Sequence, residues 1–279
     1  MMLKSLLLLL LNISLLGCTK APTNPSFPIT FDLATADMAR MRKDQRRPLR
    51  PLVVSGGYFD VGFASGHLAI RLREFTHREA DVIAVTYTGT NTLEEAADRL
   101  IQTVQEHFPS QDPGITVPVD VIGISMGGLV ARRAAEGGGV SGRRLNAKNI
   151  FTIVTPHRGA NLAGATWKDV RVQQMATGSE FLKNLTPPDQ AFYENLYSYA
   201  RLDDWIVGES NTSPWGVNPW WVKNMPLEDA HVFAYRDRRI LVDIVRRIRG
   251  EQPWSTSPAA PLPGGSVAIF QDLNKSQSP

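Results

Sequence analysis

Apolar positions along the chain form two alternating patterns. Short continuous apolar runs, typical of strands buried on both faces, precede segments in which apolar residues recur every three or four positions, as in helices. The clearest strand-like runs are 51–57, 80–87, 117–124 and 149–155. The alternation predicts an α/β fold, with a mostly parallel sheet and helices on both faces.

The strongest helix prediction covers residues 92–108. Thr92 can cap its first turn and Glu95 completes a capping box, after which apolar residues recur at helical spacing. A second helix is expected from residue 126 until Gly137 ends it. A closing helix is expected at 236–250.

The later part of the chain gives weaker patterns. Apolar runs at 200–208 and 229–235 predict later strands or strand ends. Residues 162–199 are expected to form a small cap over the sheet, with helices at 164–170 and 191–200. A cap of this kind would limit the size of any ligand.

The N-terminus predicts export and lipid attachment. Lys4 precedes an apolar run of about 12 residues, shorter than the roughly 20 that span a bilayer. The run ends in Leu-Leu-Gly-Cys, which resembles the lipobox of bacterial lipoproteins, and Cys18 is the only cysteine of the chain. The resemblance implies a signal peptide at 1–18, lipidation of Cys18 and anchoring in the cell envelope. Because Thr19 stands where such lipoproteins carry Asp for inner-membrane retention, it implies the outer membrane in a Gram-negative host.

Composition predicts how the rest of the 279 residues is divided into a linker, a domain and a tail. Pro-, Ser- and Thr-rich stretches predict a linker at 19–30 and a mobile tail at 251–279, leaving 31–250 as one domain. A net charge of +3 is too small to indicate a nucleic-acid partner. Six of the eleven residues in 40–50 are basic, which suits either a solvated helix or contact with anionic headgroups.

The segment Asp-Val-Ile-Gly-Ile-Ser-Met-Gly-Gly-Leu, residues 120–129, contains the candidate nucleophile. Ser125 lies between Gly123 and Gly127, after an apolar strand and before a helix. A serine at such a strand–turn–helix corner is presented at the carboxyl end of the sheet, where open α/β sheets bind ligands. The alternative is a structural turn serine. The sequence has no metal motif and no dinucleotide or phosphate-loop signature, so no metal or other cofactor is expected.

The chain resembles bacterial lipases and esterases of the α/β-hydrolase superfamily over roughly residues 50–240. Besides the serine corner, the segments Phe-Thr-Ile-Val-Thr-Pro-His-Arg-Gly-Ala-Asn-Leu-Ala-Gly at 151–164 and Met-Ala-Thr-Gly-Ser-Glu-Phe-Leu-Lys-Asn-Leu at 175–185 are similar to that group. The resemblance implies an α/β-hydrolase fold with a trimmed sheet of about six strands, because the first two strands of the larger hydrolases have no counterpart here. It also implies a Ser–His–Asp triad, with the acid between serine and histidine in the chain.

Among the five histidines, only His157 and His231 follow Ser125. His157 comes too soon for an acid-bearing strand to intervene, so it is interpreted as structural or as lying near the site. His231 is therefore the predicted base. The predicted acid is Asp204 in Leu-Asp-Asp-Trp-Ile-Val, with Asp203 as its alternative; Asp229 and Glu209 are weaker candidates.

An oxyanion hole needs two backbone N–H donors. The resemblance implies Met126, directly after the serine, and Gly57 in the loop after the first strand, with Tyr58 as the alternative register. Ser55-Gly56 stands where the family has His-Gly.

The function implied by the resemblance is hydrolysis of carboxylic esters through an acyl-enzyme, on an ester or lipid substrate. A Trp-rich loop between acid and base suits an acyl pocket or a membrane contact, or it serves to pin the loop. Two alternatives stay open: a phospholipase or acyltransferase on membrane lipids, and a non-catalytic envelope binding protein on a hydrolase scaffold.

Overall fold

The computed structural model of the chain describes residues 23–77, 79–137, 139, 142–164 and 167–263. The predicted signal peptide with Cys18, and the end of the predicted tail, lie outside these residues.

A six-stranded sheet forms the centre of the domain, and all its strands run parallel. Numbered along the chain, the strands lie in the order β2-β1-β3-β4-β5-β6. The architecture confirms the predicted parallel sheet of about six strands. The strands are β1 (Leu52–Ser55), β2 (Val82–Val85), β3 (Val119–Ile124), β4 (Ala147–Ile153), β5 (Asn195–Arg201) and β6 (Trp220–Val222).

Helices cover both faces of the sheet. Five are long enough to build the layers: α1, α2 and α7 pack against one face, and α3 and α4 pack against the other. The helices are α1 (Phe31–Lys43), α2 (Phe63–Arg73), α3 (Leu93–His107), α4 (Met126–Glu136), α5 (Val170–Gln174), α6 (Glu180–Lys183) and α7 (Arg238–Ile248), with 3₁₀ turns at Glu79–Asp81, Pro188–Gln190, Glu209–Asn211 and Ala234–Arg236.

The strands are largely apolar because both of their faces are buried. Val53 belongs to the core beneath α3 and α4, whereas its neighbour Val54 belongs to the core beneath α1, α2 and α7. Val121 and Ile122 divide in the same way. Alternate side chains of a strand point to opposite faces, so neighbouring apolar residues of one run contribute to two cores.

Helix α3 confirms the strongest sequence prediction. Its Thr92 cap accepts a hydrogen bond from the Glu95 amide at 3.1 Å. The Glu95 carboxylate returns to the amide of Asn91, one residue before the cap, at 2.7 Å. α4 ends at Gly137, whose φ of 74° is the left-handed conformation expected of a glycine C-cap.

The later strands differ from their predictions. β5 begins at residue 195, so the segment 191–200, predicted to be helical, supplies a strand, and the predicted cap of 162–199 ends before it. Tyr197 and Tyr199 are aromatic residues that favour a pleated surface, and both pack toward the α1 and α7 core. Residues 229–235 form turns and the start of a 3₁₀ turn instead of a strand, and β6 lies within the Trp-rich loop.

The described parts of the predicted linker and tail pack on the domain. Phe27 is buried against the sheet and Leu262 against Trp221. The two segments also bond to each other, since the Thr256 amide donates to the Ser26 carbonyl at 2.8 Å. Residues 23–30 and 251–263 therefore pack as part of the domain surface, whereas the rest of the predicted linker and tail lies outside the described residues.

The basic stretch 40–50 is largely paired with carboxylates of the fold, which favours its interpretation as part of the domain surface. The ion pairs are Arg40 with Glu251 at 2.5 Å, Arg42 with Glu74 at 2.6 Å, Arg47 with Asp81 at 3.1 Å and Arg50 with Asp120 at 3.3 Å.

Within the described residues, no helix has the length and apolar character that crossing a bilayer requires.

Candidate active site

Ser125 occupies a sharp corner between β3 and α4. Its φ of 51° and ψ of −122° lie outside the regions that non-glycine residues favour, a strain that costs about 1–3 kcal/mol. The surrounding backbone holds this corner from both sides. The Ser125 amide donates to the Ile153 carbonyl at 2.8 Å, and the Thr155 hydroxyl donates to the Ser125 carbonyl at 2.8 Å.

The first turn of α4 lies directly on β1, which explains the glycines that follow the serine. A Cβ at Gly127 would collide with the Ser55 carbonyl. The Ser55 hydroxyl instead donates to the Gly127 carbonyl at 2.9 Å and shares a 2.5 Å hydrogen bond with the Tyr87 hydroxyl. Ser55, at the position where the resembled family has histidine, thus supports the serine corner.

The structure brings together the three residues predicted to form the triad. His231 Nε2 lies 3.0 Å from Ser125 Oγ, and His231 Nδ1 lies 2.9 Å from Asp204 Oδ2. A carboxylate only accepts hydrogen bonds, so Asp204 fixes the proton on Nδ1 and leaves the Nε2 lone pair facing the serine hydroxyl. This order of hydroxyl, imidazole and carboxylate is the arrangement that activates a serine.

Asp204, and not its neighbour Asp203, contacts the histidine. Asp204 is buried, and its Oδ1 accepts the amides of Ile206 and Val207 at 3.0 Å each. These bonds orient the carboxyl so that Oδ2 faces the imidazole. Asp203 is exposed and has a left-handed φ of 67°.

Asp229, a weaker candidate for the acid, holds the backbone at His231. Its Oδ1 accepts the amides of His231 at 3.0 Å and Val232 at 2.8 Å, and its Oδ2 accepts Trp205 Nε1 at 3.1 Å. Burial alone raises the pKa of this carboxyl, but these bonds outweigh it and hold the pKa below its ordinary value. The other weaker candidate, Glu209, begins a 3₁₀ turn after the Asp204 loop.

His157 lies apart from this arrangement, in agreement with its structural interpretation. It is buried, with Nε2 3.0 Å from Thr152 Oγ1 and Nδ1 3.1 Å from the Arg132 guanidinium. Burial, together with the charges of Arg132 and Arg158, lowers the pKa of His157 well below its usual value. The imidazole is therefore neutral at ordinary pH.

Both predicted oxyanion donors lie next to the serine. Met126 is the first residue of α4, where helix amides have no partner within the helix. Gly57 lies across from it, since a Cβ on Gly57 would be 3.5 Å from the Ser125 Cβ.

Tyr58, the alternative donor, carries a contact that the sequence did not reveal. Its hydroxyl donates to Asp169 Oδ2 at 2.9 Å, and the Arg171 guanidinium lies 5.0 Å from its ring centre while pairing with Asp169 at 2.6 Å. Led by the Arg171 hydrogen bond, these contacts lower the pKa of Asp169 to about 2. The loop after β1 is thereby joined to the cap segment. In the sequence, the only sign of this contact is that Asp169 and Arg171 lie two residues apart, a spacing at which they can pair.

An apolar cleft of about 520 Å³ opens above Ser125. Exposed aromatic side chains stand at its mouth, with Phe59 at 79% and Phe63 at 69% exposure. The cap contributes Trp167, whereas Trp220 and Trp221 of the Trp-rich loop are buried in β6. For those two tryptophans the loop-pinning interpretation is correct. Other residues that line the cleft include Ile124, Leu162, Val172, Met175 and Val207.

Across the described part of the chain, no group of three or more His, Cys, Asp or Glu side chains is arranged to hold a metal ion.

Comparison with known proteins identifies the fold alone. No protein-family model matches the chain, and no curated protein matches it. Lipase B from Aspergillus fumigatus is similar in structure, with a TM-score of 0.51 and 12% identity over 86% of this chain and 62% of the lipase.

Two other solved structures are more distant. Lipase BlEst2 from Bacillus licheniformis has a TM-score of 0.48 and 14% identity over 68% of this chain and 88% of that one. Phospholipase PlaB from Legionella pneumophila has a TM-score of 0.46 and 12% identity over 58% of this chain, and the match spans only 43% of the phospholipase. The parallel six-stranded sheet, the helices on both faces and the likeness to lipase B together identify the α/β-hydrolase fold.

Proposed function

We propose that this protein is a serine hydrolase that cleaves carboxylic esters. The observation that carries the proposal is the continuous contact from Asp204 through His231 to Ser125, with the serine held at a strained corner. Strain of this kind persists only where the surrounding structure enforces it, and it clusters at functional sites.

In the proposed reaction, Ser125 Oγ attacks the ester carbonyl while its proton passes to His231 Nε2. Asp204 stays ionised, holds the imidazole in position and stabilises its protonated form. Nε2 then gives the proton to the departing alkoxide, which leaves as an alcohol, and Ser125 carries the acyl group. Water, deprotonated by the same nitrogen, releases the acid and restores the serine.

In this proposal, the amides of Met126 and Gly57 donate hydrogen bonds to the carbonyl oxygen and stabilise the negative charge that develops on it. The position of Gly57 against Ser125 and the place of Met126 at the start of α4 support this assignment. One such donor typically contributes about 3–4 kcal/mol to transition-state stability. The apolar cleft supports an apolar acyl group as the substrate part that it binds.

The test is hydrolysis of p-nitrophenyl esters of increasing acyl length by the full chain in detergent, beside Ser125→Ala. We expect turnover by the wild type and a loss of about 10⁴- to 10⁶-fold in the variant, as for removal of other triad serines. If no ester is hydrolysed and a fluorophosphonate does not label Ser125, the catalytic proposal is wrong and a non-catalytic binding role replaces it. Release of fatty acid from phospholipid but from no simple ester would favour the phospholipase alternative.

Attachment to the cell envelope through lipidated Cys18 is a separate proposal. It rests on the lipobox-like end of the apolar N-terminal run and on the absence of any other cysteine in the sequence. Expression in bacteria with labelled palmitate should label the wild type and place it in the membrane fraction. Cys18→Ser should lose both the label and the membrane association; retention of both would refute the proposal.

A further inference from the structure

The base and the acid of the site both stand on irregular loops. His231 lies in turns that precede the 3₁₀ turn Ala234–Arg236, and Asp204 lies after β5. The loop before His231 includes Leu227, which is fully exposed and has a left-handed φ of 64°. No strand or helix fixes the distance between the two side chains directly.

One carboxylate contacts both loops. Asp229 Oδ1 accepts the amides of His231 and Val232, and so fixes the backbone that carries the base. Asp229 Oδ2 accepts the indole N–H of Trp205, the residue directly after Asp204. In all of these hydrogen bonds a neutral donor bonds to a charged acceptor, and such bonds contribute more to stability than bonds between two neutral groups.

The indole bond reaches the Asp204 loop close to its functional carboxyl. Asp204 Oδ1 accepts the amides of Ile206 and Val207, so residues 204–207 form a compact turn in which Trp205 projects toward Asp229. Trp205 is 59% exposed, so burial in the core does not account for its orientation. Its bond to Asp229 does.

We propose that Asp229 is a positioning residue for the reaction, which holds the His231 backbone and, through Trp205, keeps the base in register with Asp204. This inference rests on the proposed hydrolase function. Asp229 touches neither Ser125 nor the His231 ring in the role assigned to it; it acts through the backbone. Small errors of position matter here, because a shift of about 1 Å in a catalytic group can cost about 100-fold in rate.

The test compares Asp229→Ala with Asp229→Asn in the full chain. Alanine removes every acceptor, so we expect kcat to fall about 100-fold while KM changes less than about threefold. Asparagine keeps one oxygen that can accept both backbone amides, so kcat should recover to within about tenfold of the wild type. Trp205→Phe, which removes only the bond between the loops, should fall between wild type and Asp229→Ala.

Asp203→Asn is the matched control. It removes an exposed carboxylate from the same loop as Trp205, and asparagine tolerates the left-handed backbone at that position. We expect kcat within twofold of the wild type. A wild-type kcat in Asp229→Ala, or equal losses in the alanine and asparagine variants, would overturn the proposal. If Asp229→Ala does not fold, kcat for Asp229→Asn and Trp205→Phe decides: the proposal requires a loss in Trp205→Phe.

A measurement without substrate separates this proposal from the hydrolase proposal. The proton between His231 Nδ1 and Asp204 gives a downfield ¹H NMR resonance that reports their hydrogen bond. It should persist in Asp203→Asn and Asp229→Asn and be shifted or broadened in Asp229→Ala. An unchanged resonance in Asp229→Ala would refute the positioning role. If the resonance changes as expected but no ester substrate is hydrolysed, only the hydrolase function is refuted.

Discussion

Two histidines after Ser125 have both ring nitrogens in hydrogen-bond contact, yet their surroundings are opposite. His231 Nδ1 faces the carboxylate of Asp204, which can only accept. His157 Nδ1 faces the guanidinium of Arg132, which can only donate. The proton is therefore on Nδ1 in His231 and on Nε2 in His157.

The tautomer decides what the second nitrogen can do. In His231 the free lone pair of Nε2 faces the Ser125 hydroxyl, which it can deprotonate. In His157 the Nε2–H donates to the Thr152 hydroxyl, and burial together with the neighbouring arginines lowers the pKa and disfavours any further proton. The comparison teaches that the donor or acceptor character of the group facing Nδ1 decides which ring nitrogen carries the proton, and so separates an imidazole that can accept a proton from the serine from a structural one.

The largest expected effect is the difference between the same substitution at the two histidines. His231→Gln removes the base, so kcat/KM for ester hydrolysis should fall about 10⁴-fold or more. His157→Gln keeps an oxygen for Arg132 and an N–H for Thr152, so activity should stay within about tenfold. Steady-state kinetics on one p-nitrophenyl ester measures both. Equal losses in the two variants would contradict the assignment of His231 as the base.

A smaller effect is expected from the carboxylate partner of His231. Asp204→Asn can present an N–H to Nδ1, which forces the proton onto Nε2, and kcat should fall up to about 10⁴-fold with the geometry intact. Asp203→Asn, one residue earlier, should leave kcat within about twofold because that side chain is exposed. If Asp203→Asn were the more damaging variant, the acid would be misassigned.

Much of this contrast is readable in the sequence. The largely apolar runs that become β1 to β4 predict buried strands, and the serine corner lies where a strand meets a helix. Five histidines reduce to His157 and His231 once chain order is applied, and His157 lies too close to Ser125 for an acid-bearing strand to intervene. The sequence could only rank Asp204 over Asp203, because the side chains of neighbouring residues point in different directions. Which of the two points toward the histidine depends on the hydrogen bonds that the Ile206 and Val207 amides donate to Asp204.

The remaining features depend on contacts between distant residues. Phe27 is in a Pro- and Ser-rich segment with the composition of a linker, but it is buried because Tyr199 and its neighbours offer a surface. In the sequence, nothing assigns a role to the carboxylate of Asp229, because its hydrogen bond from Trp205 is visible only in the structure. Local composition carries no information about such pairs, which are 24 residues apart in one case and 172 in the other.

The smallest expected effect concerns the pH dependence of stability at His157. Its pKa in the folded protein is lowered, so the unfolded chain binds the proton first as pH falls below about 6.5. The free energy of unfolding should then decrease by about 1.4 kcal/mol per pH unit below that point, until the lowered pKa is reached. His157→Gln should lose this component, which urea unfolding at pH 7.5 and 5.5 would measure. An unaltered difference between the two pH values in His157→Gln would mean that burial and the neighbouring arginines do not keep His157 neutral.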